Sequence, residues 1–224
     1  MPVEVLAFIG GTGPEGLGLA VRLAAAGHEI VIGSRSLERA EQAVEKIRAR
    51  VPQVRATGMV NQEAVRKGDI VFVTIPFAGH RDTLEALASA IGAKVVVDVV
   101  SPLSFEGGRI AAIAVPEGSA AEQAKALLPE AQVVAAFHHL DASRLMRLEL
   151  PIEGDVLVCA DHQEAKKRVM ALAEEIEGAR ALDGGPLANS RYLEEFTVLL
   201  LNLNKTYKAH TSLKIAGIRG SRKG

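Results

Sequence analysis

The chain is poor in residues that staple a fold from outside its core. It has one cysteine, Cys159, no tryptophan, and only 4% aromatic residues. A lone cysteine excludes an internal disulfide and fits a reducing cytoplasm. With so few aromatics, Ala, Val, Leu and Ile must fill the interior. Neither charge dominates: 26 Lys and Arg face 27 Asp and Glu, a formal net charge of −1. That balance argues against a dedicated nucleic-acid binder, and the basic tail Arg219, Arg222, Lys223 is too short to line a groove. Long apolar runs are missing as well. Residues 3–9 contain Glu4 and end in glycines, so they read as neither signal peptide nor membrane span. What remains is a globular composition, 48% hydrophobic and 24% charged over 224 residues, expected to fold as one domain with at most a small appendage.

Two hydrophobic periods alternate through the first two thirds. Residues 3–9, 30–32, 70–75, 95–99 and 133–137 are short apolar, β-branched runs that predict buried strands. Residues 17–26, 37–50, 81–90 and 120–128 have helical spacing. Strand and helix in alternation predict βαβ units, and so an α/β, doubly wound parallel sheet covered on both faces. The pattern changes near Asp141. Beyond it, residues 155–160 read as one more strand, and Asp161 with Glu164 reads as an acidic capping box opening a helix at about 162–177. Gly184, Gly185 and Pro186 then break the chain before a helix over about 187–208. Its stretch Val198 to Leu203 is apolar on more than one face and must be buried within the subunit or against a partner. The expected division is 1–150 and a small α-rich domain over 151–224.

The strongest local signal is Gly10-Gly11-Thr12-Gly13-Pro14-Glu15-Gly16-Leu17-Gly18. Gly11, Gly13 and Gly16 stand in G-x-G-x-x-G register, after a strand and opening a helix, the context in which the motif binds a dinucleotide. Gly11 is expected to allow the tight turn, Gly13 the approach of pyrophosphate, and Gly16 close helix–strand packing. The alternative is a glycine-rich turn without a ligand. No G-x-x-x-x-G-K-[ST] is present, which disfavours a nucleoside triphosphatase.

The second strand indicates which dinucleotide. NAD sites place a carboxylate at its tip, whereas this strand ends Gly33-Ser34-Arg35-Ser36. Ser34 can donate to a 2′-phosphate, Arg35 can pair with it, and Arg39 adds a cation one helical turn on. NADP is therefore expected, the alternative being that both arginines merely solvate a helix start. Three further strand ends, at Thr74-Ile75-Pro76-Phe77, Asp98 to Leu103 and Phe137 to Ala142, should face the same crevice. Asp98 and His138 are acid–base candidates there. His138-His139 is a poor metal pair because neighbours on a strand point to opposite faces, and Cys159 reads as a buried, inert thiol.

Taken together, these residues resemble the NADPH-dependent deazaflavin reductases, the coenzyme F420:NADP oxidoreductases of archaea and actinobacteria. The resemblance runs through the glycine loop, Gly33-Ser34-Arg35, Thr74-Ile75-Pro76, Val115 to Ala121 and Ala136 to Leu140. It resumes at Asp155 to Cys159, Gly185-Pro186-Leu187-x-Asn189-Ser190-Arg191 and Tyr207 to His210, so it spans nearly the whole chain. It implies an NADP-binding Rossmann domain, a small C-terminal domain that dimerises and borders the deazaflavin, and a homodimer. Thr12, Gly13, Pro14 and Glu15 would line the pyrophosphate, and Ser34, Arg35 and Arg39 the 2′-phosphate. Ile75, Ser101 and Ala142 would flank the nicotinamide, and Leu213 would touch the deazaflavin. Ile75, Pro76, Phe77, Ala142, Leu213 and Ile215 are the expected apolar walls. The implied activity is reversible hydride transfer between NADPH and coenzyme F420, with no covalent nucleophile. The nucleotide domain also looks like that of the membrane metalloreductases, so a flavin or ferric reductase is the alternative enzyme. A non-catalytic NADP(H)-sensing protein is the alternative outside enzymology.

Overall fold

The computed structural model describes residues 2–218; the basic residues Arg219, Arg222 and Lys223 lie outside them. The order of elements is β1 (Val5–Ile9), α1 (Pro14–Ala25), β2 (Glu29–Ser34), α2 (Leu37–Arg48), β3 (Ala56–Val60), α3 (Asn61–Lys67), β4 (Ile70–Val73), α4 (His80–Ile91) and β5 (Val95–Asp98). There follow β6 (Leu103–Glu106), β7 (Arg109–Ala112), α5 (Ala120–Leu127), β8 (Gln132–Ala135), α6 (Ala142–Leu145), β9 (Gly154–Ala160), α7 (Gln163–Glu175), β10 (Ala179–Gly185) and α8 (Ser190–Tyr207). Among the described residues, eight strands form one sheet in the order β3-β2-β1-β4-β5-β8-β9-β10, and β6 pairs with β7 as a separate hairpin. From β3 to β8 every pairing is parallel; β9 runs antiparallel to β8, and β10 is parallel to β9.

Alternation along the strands builds the two cores. Leu6 and Phe8 point to the face covered by α1, α2 and α7, whereas Ala7 and Ile9 point to the face covered by α3, α4 and α5. Both faces of β1 are fully buried, which is why a parallel strand reads as a continuous apolar run. Phe8 and Phe72 stack with centroids 4.6 Å apart, and Phe137 meets Phe72 at 5.9 Å. Each such ring contributes roughly 1.5–3 kcal/mol by burial, so three of the few aromatics anchor one layer.

Two expectations change in the C-terminal third. The chain after residue 150 does not leave the sheet, because β9 and β10 extend it beyond β8. The cap of α7 is His162, whose ring nitrogen accepts from the Ala165 N–H at 3.2 Å. Asp161 instead turns away and accepts from the Leu187 N–H at 3.0 Å, tying β9 to the approach of α8.

Candidate functional site

The order of strands puts the switch point of the sheet between β1 and β4, where successive connections leave to opposite faces and a crevice opens at the carboxyl ends. The glycine loop lies there. Its left-handed residue is Gly10, with φ of 77°, rather than Gly11. Gly11 is required for another reason: a Cβ on it would stand 2.7 Å from the Phe8 Cβ. A Cβ on Gly16 would stand 2.3 Å from the Thr74 hydroxyl, so α1 packs against the end of β4 as expected. Gly13 caps α1 and would leave a Cβ nothing nearer than 3.7 Å, an open side beside the free N–H groups of the helix start. Pro14 opens the helix, where its missing N–H costs nothing.

One strand over, the Gly10 N–H donates to the Gly33 carbonyl at 3.2 Å, which brings the tip of β2 beside the loop. Ser34 is buried there and its hydroxyl accepts from the Ser36 N–H at 3.2 Å, while Arg35 and Arg39 are exposed. Ser34 and Arg35 thus stand at the tip of β2 and Arg39 in the first turn of α2, with no carboxylate at the strand tip.

On the other side of the loop is a cleft of about 530 Å³. Glu15, Thr74, Ile75, Ser101 and Ala142 all line it, which unites five of the expected site residues. Its far wall comes from Thr197, Leu200, Leu201 and Asn204 of α8 and from Ala209, His210 and Thr211 behind it. In the sequence, all-round apolarity is the signal that these residues of α8 carry. Leu200 therefore faces the cleft inside the subunit. Ser101 donates to the Thr197 hydroxyl at 3.2 Å and so binds the end of β5 to this wall.

The cleft floor is set by an unusual backbone. Phe137 has φ of 71°, a left-handed conformation that costs a bulky residue roughly 1–3 kcal/mol. The turn keeps its ring in the core and delivers His138 and His139 to the cleft. His139 Nε2 donates to the Leu193 carbonyl at 2.8 Å, again joining α8. His138 is buried, and among the described residues neither ring nitrogen meets a well-formed hydrogen bond, the Val100 backbone being the polar main-chain group that acts on it. Burial, then neighbouring His139, push it down to about 3, so it is a neutral imidazole. Its two orphaned nitrogens are the observation by which the cleft fits a polar-edged ring system. Asp141 caps α6 and pairs with His210 at 2.7 Å across the rim. Burial raises its pKa, but bonds from Ser143, the Arg144 N–H and His210 outweigh that and hold it below the usual range.

Several expected residues stand elsewhere. Asp98 is fully buried, held by His80 Nε2 at 2.8 Å and the Val100 N–H at 3.0 Å, so it orders the end of β5 and does not line the cleft. Phe77 turns back onto His80, with centroids 6.0 Å apart. Pro76, Leu213 and Ile215 are also absent from the lining. The Leu213 carbonyl accepts from the Asp155 N–H at 2.8 Å, which lashes that segment to β9. Thr12, Gly13 and Pro14 lie on the loop outside the lining. Cys159 is buried, and burial pushes its thiol up to about 11, an inert group.

Comparison with known proteins places this geometry. Residues 5–102 match the model of the family described as NADP oxidoreductase coenzyme F420-dependent. The chain is 38% identical to the F420-dependent NADP reductase of Methanothermobacter marburgensis, covering 96% of both chains. It is 37% identical to that of Methanocaldococcus jannaschii, covering 95% of this chain and 98% of the relative. The rat metalloreductase STEAP3 is 31% identical, but the chain spans only 36% of it. A crystal structure from Arthrobacter sp. FB24 superposes with a TM-score of 0.81 over 96% of this chain and 99% of that one. At 24% identity that likeness shows the fold alone. With the glycine loop, the carboxylate-free tip of β2 and full-length identity in agreement, the chain belongs to the coenzyme F420-dependent NADP oxidoreductase family.

Proposed function

We propose that this protein transfers a hydride reversibly between NADPH and the deazaflavin of coenzyme F420. The observation that carries this reading is the identity of 37–38% over nearly the full length of F420-dependent NADP reductases. The cleft beside the glycine loop gives it a place. When bound, the nicotinamide supplies the hydride and the deazaflavin accepts it. Gly11, Thr12, Gly13, Pro14, Glu15 and Gly16 would hold the pyrophosphate, with Ser34, Arg35 and Arg39 at the 2′-phosphate. Thr74, Ile75, Ser101 and Ala142 would flank the nicotinamide, and Leu213 would touch the deazaflavin, with Leu200 and Leu201 of α8 walling the cleft. The protein's own contribution is position: three strand ends and one helix wall a cleft that holds two partners together and excludes water.

The division of labour follows. Residues 1–150 would bind NADP, while 151–224 close the cleft through α8 and form a homodimer. Tyr192 and Leu199 of α8 are 64% and 49% exposed, and half-buried Phe196 and Leu203 complete a stripe at helical spacing. Leu199→Glu should yield monomers, whereas wild-type monomers at micromolar concentration in sedimentation would refute the dimer. A cytoplasmic site of action fits the single buried thiol. Among the described residues, no helix is long and apolar enough to cross a membrane.

The activity is tested by stopped-flow mixing of purified protein and NADPH with oxidised coenzyme F420, FMN, riboflavin or a ferric chelate. Coenzyme F420 should win by more than about tenfold in specificity, a barrier difference of roughly 1.4 kcal/mol. A faster flavin or iron reaction overturns the deazaflavin reading. Tight NADPH binding without turnover of any acceptor would make the chain a sensor.

A further inference from the structure

Glu15 puts an acid where phosphate is expected. It lies in the first turn of α1, and its side chain lines the cleft together with Thr74, His138 and Asp141. The residue as a whole is half-buried, but its Oε1 is closed off from solvent and meets no hydrogen-bond partner among the described residues. An ionised carboxylate is poorly served by such a place, because it can only accept; a neutral carboxylic acid carries a proton to give. The charges around it do not relieve the problem. Asp141, at the start of α6, has the same sign and acts on it directly. His138 and His139, beyond β8, are both pushed down by burial and so uncharged. His210, from the segment after α8, is engaged by Asp141.

We propose that Glu15 is kept as a neutral acid that donates a hydrogen bond to a phosphate oxygen of the bound dinucleotide, which makes it a positioning residue for NADP(H). The proposal rests on the assignment of NADP to this cleft. Burial first, and Asp141 second, push the carboxyl up to about 8, so the proton is in place at neutral pH before a ligand arrives. An incoming pyrophosphate adds negative charge and favours the neutral acid further. Once ionised, the same side chain would set a carboxylate against the phosphates. Affinity should therefore fall as pH rises above 8, and binding in that range should draw a proton from solvent. The 2′-phosphate of NADPH is fully ionised there and does not interfere.

The experiment is calorimetric titration of the full chain with NADPH at pH 7, 8.5 and 9.5, in two buffers of different ionisation heat. Wild type is compared with Glu15→Gln, a permanently neutral donor, and with Glu15→Ala. Wild-type Kd should rise at least about tenfold from pH 7 to 9.5, with proton uptake at pH 8.5. Glu15→Gln should hold its Kd within about twofold and take up no proton at this site. Glu15→Ala should bind more weakly than Glu15→Gln at pH 7. Parallel pH dependence in wild type and Glu15→Gln overturns the proposal, as does Glu15→Gln binding no better than Glu15→Ala. Should Glu15→Gln fail to fold, wild-type proton uptake decides alone, and its absence at pH 8.5 is a refutation. A wild-type protein that binds no NADPH at any pH removes the NADP assignment itself, and this proposal with it.

Discussion

At the tip of β2, Ser34, Arg35 and Arg39 are the residues proposed to decide between two dinucleotides that differ by one phosphate. Arg35 and Arg39 are exposed and can both reach an anion, whereas Ser34 is buried with its hydroxyl fixed by the Ser36 N–H. A charge-assisted bond contributes roughly 1.5–3 kcal/mol, so Arg35→Ala should raise the NADPH Michaelis constant about tenfold or more. NADH kinetics should stay near wild type. Equal losses for both cofactors would show that Arg35 supports the fold instead. This corner is legible in the sequence because strand tip and helix start are adjacent in the chain, and a missing carboxylate is visible without coordinates. Asp98 is the contrary case. Its place at a strand end is legible, but the direction of its side chain is set by His80, 18 residues away and on another element. His138 is intermediate: its position is legible, while its orphaned nitrogens depend on the left-handed turn at Phe137.

Among the elements, α1 does more than open the glycine loop. Its Arg22 is only 3% exposed, and its guanidinium donates to the carbonyls of Leu145, Arg144, Arg147 and Leu150 at 3.0, 2.8, 2.7 and 2.7 Å. One side chain thus ends α6 and holds the irregular stretch after it, steadying from its C-terminal end the short helix whose start presents Asp141 and Ala142 to the cleft. Arg22→Met keeps most of the apolar stem but takes the guanidinium from four carbonyls, of which Arg144 and Arg147 keep a backbone N–H donor. It should cost on the order of 2–5 kcal/mol in urea unfolding, and a loss below about 0.5 kcal/mol would show that water replaces it freely. Nothing in the sequence marks Arg22, since it falls at a helical position that suits a solvated arginine equally well. The strands show a similar divide. β1, β4, β5 and β8 are buried on both faces and stand out as apolar runs. β3 and β10 are edges, Ala-Thr-Gly-Met-Val and Ala-Arg-Ala-Leu-Asp-Gly-Gly, and the second reads as a chain break because Asp183, Gly184 and Gly185 close it. The β6–β7 hairpin does carry a two-residue Gly107-Gly108 turn signal, with φ of 55° and 74°. Its short strands lack the β-branched run that identifies the others.

For the whole molecule, the two thirds read as α/β and the C-terminal third share one sheet, so cleft and core cannot be loosened separately. Ionisable groups that are buried, or half-buried as Glu15 is, couple that common stability to pH. Glu15 is pushed from its ordinary 4.5 up to about 8 by burial and Asp141, and Glu194 is pushed up to about 8 by burial and then Asp98, despite accepting from the Ala120 and Ala121 N–H groups. Each holds a proton in the folded state that the unfolded chain has released, so stability falls as pH rises from about 4.5 to about 8 and levels off beyond. Burial lowers His80, but the charge and hydrogen bond of Asp98 outweigh it and raise the net value. Its contribution is complete below 6.5 and is lost as pH rises through the folded value. His138 and His139 act oppositely: both are pushed down by burial, so their contribution is present above 6.5 and lost on acidification. Between about 4.5 and 6.5 the two glutamates and the two histidines work against each other, and the melting temperature of the ligand-free protein should change little. From 6.5 to 8.5 nothing among these groups offsets the loss. A full proton difference is worth about 1.4 kcal/mol per pH unit, so each glutamate removes at most about 2 kcal/mol over that range. Scanning calorimetry at pH 5.5, 6.5 and 8.5 should show a plateau and then a fall, and Glu15→Gln should make the fall shallower. A melting temperature that rises from pH 6.5 to 8.5 would mean that Glu15 and Glu194 are already ionised in the folded protein.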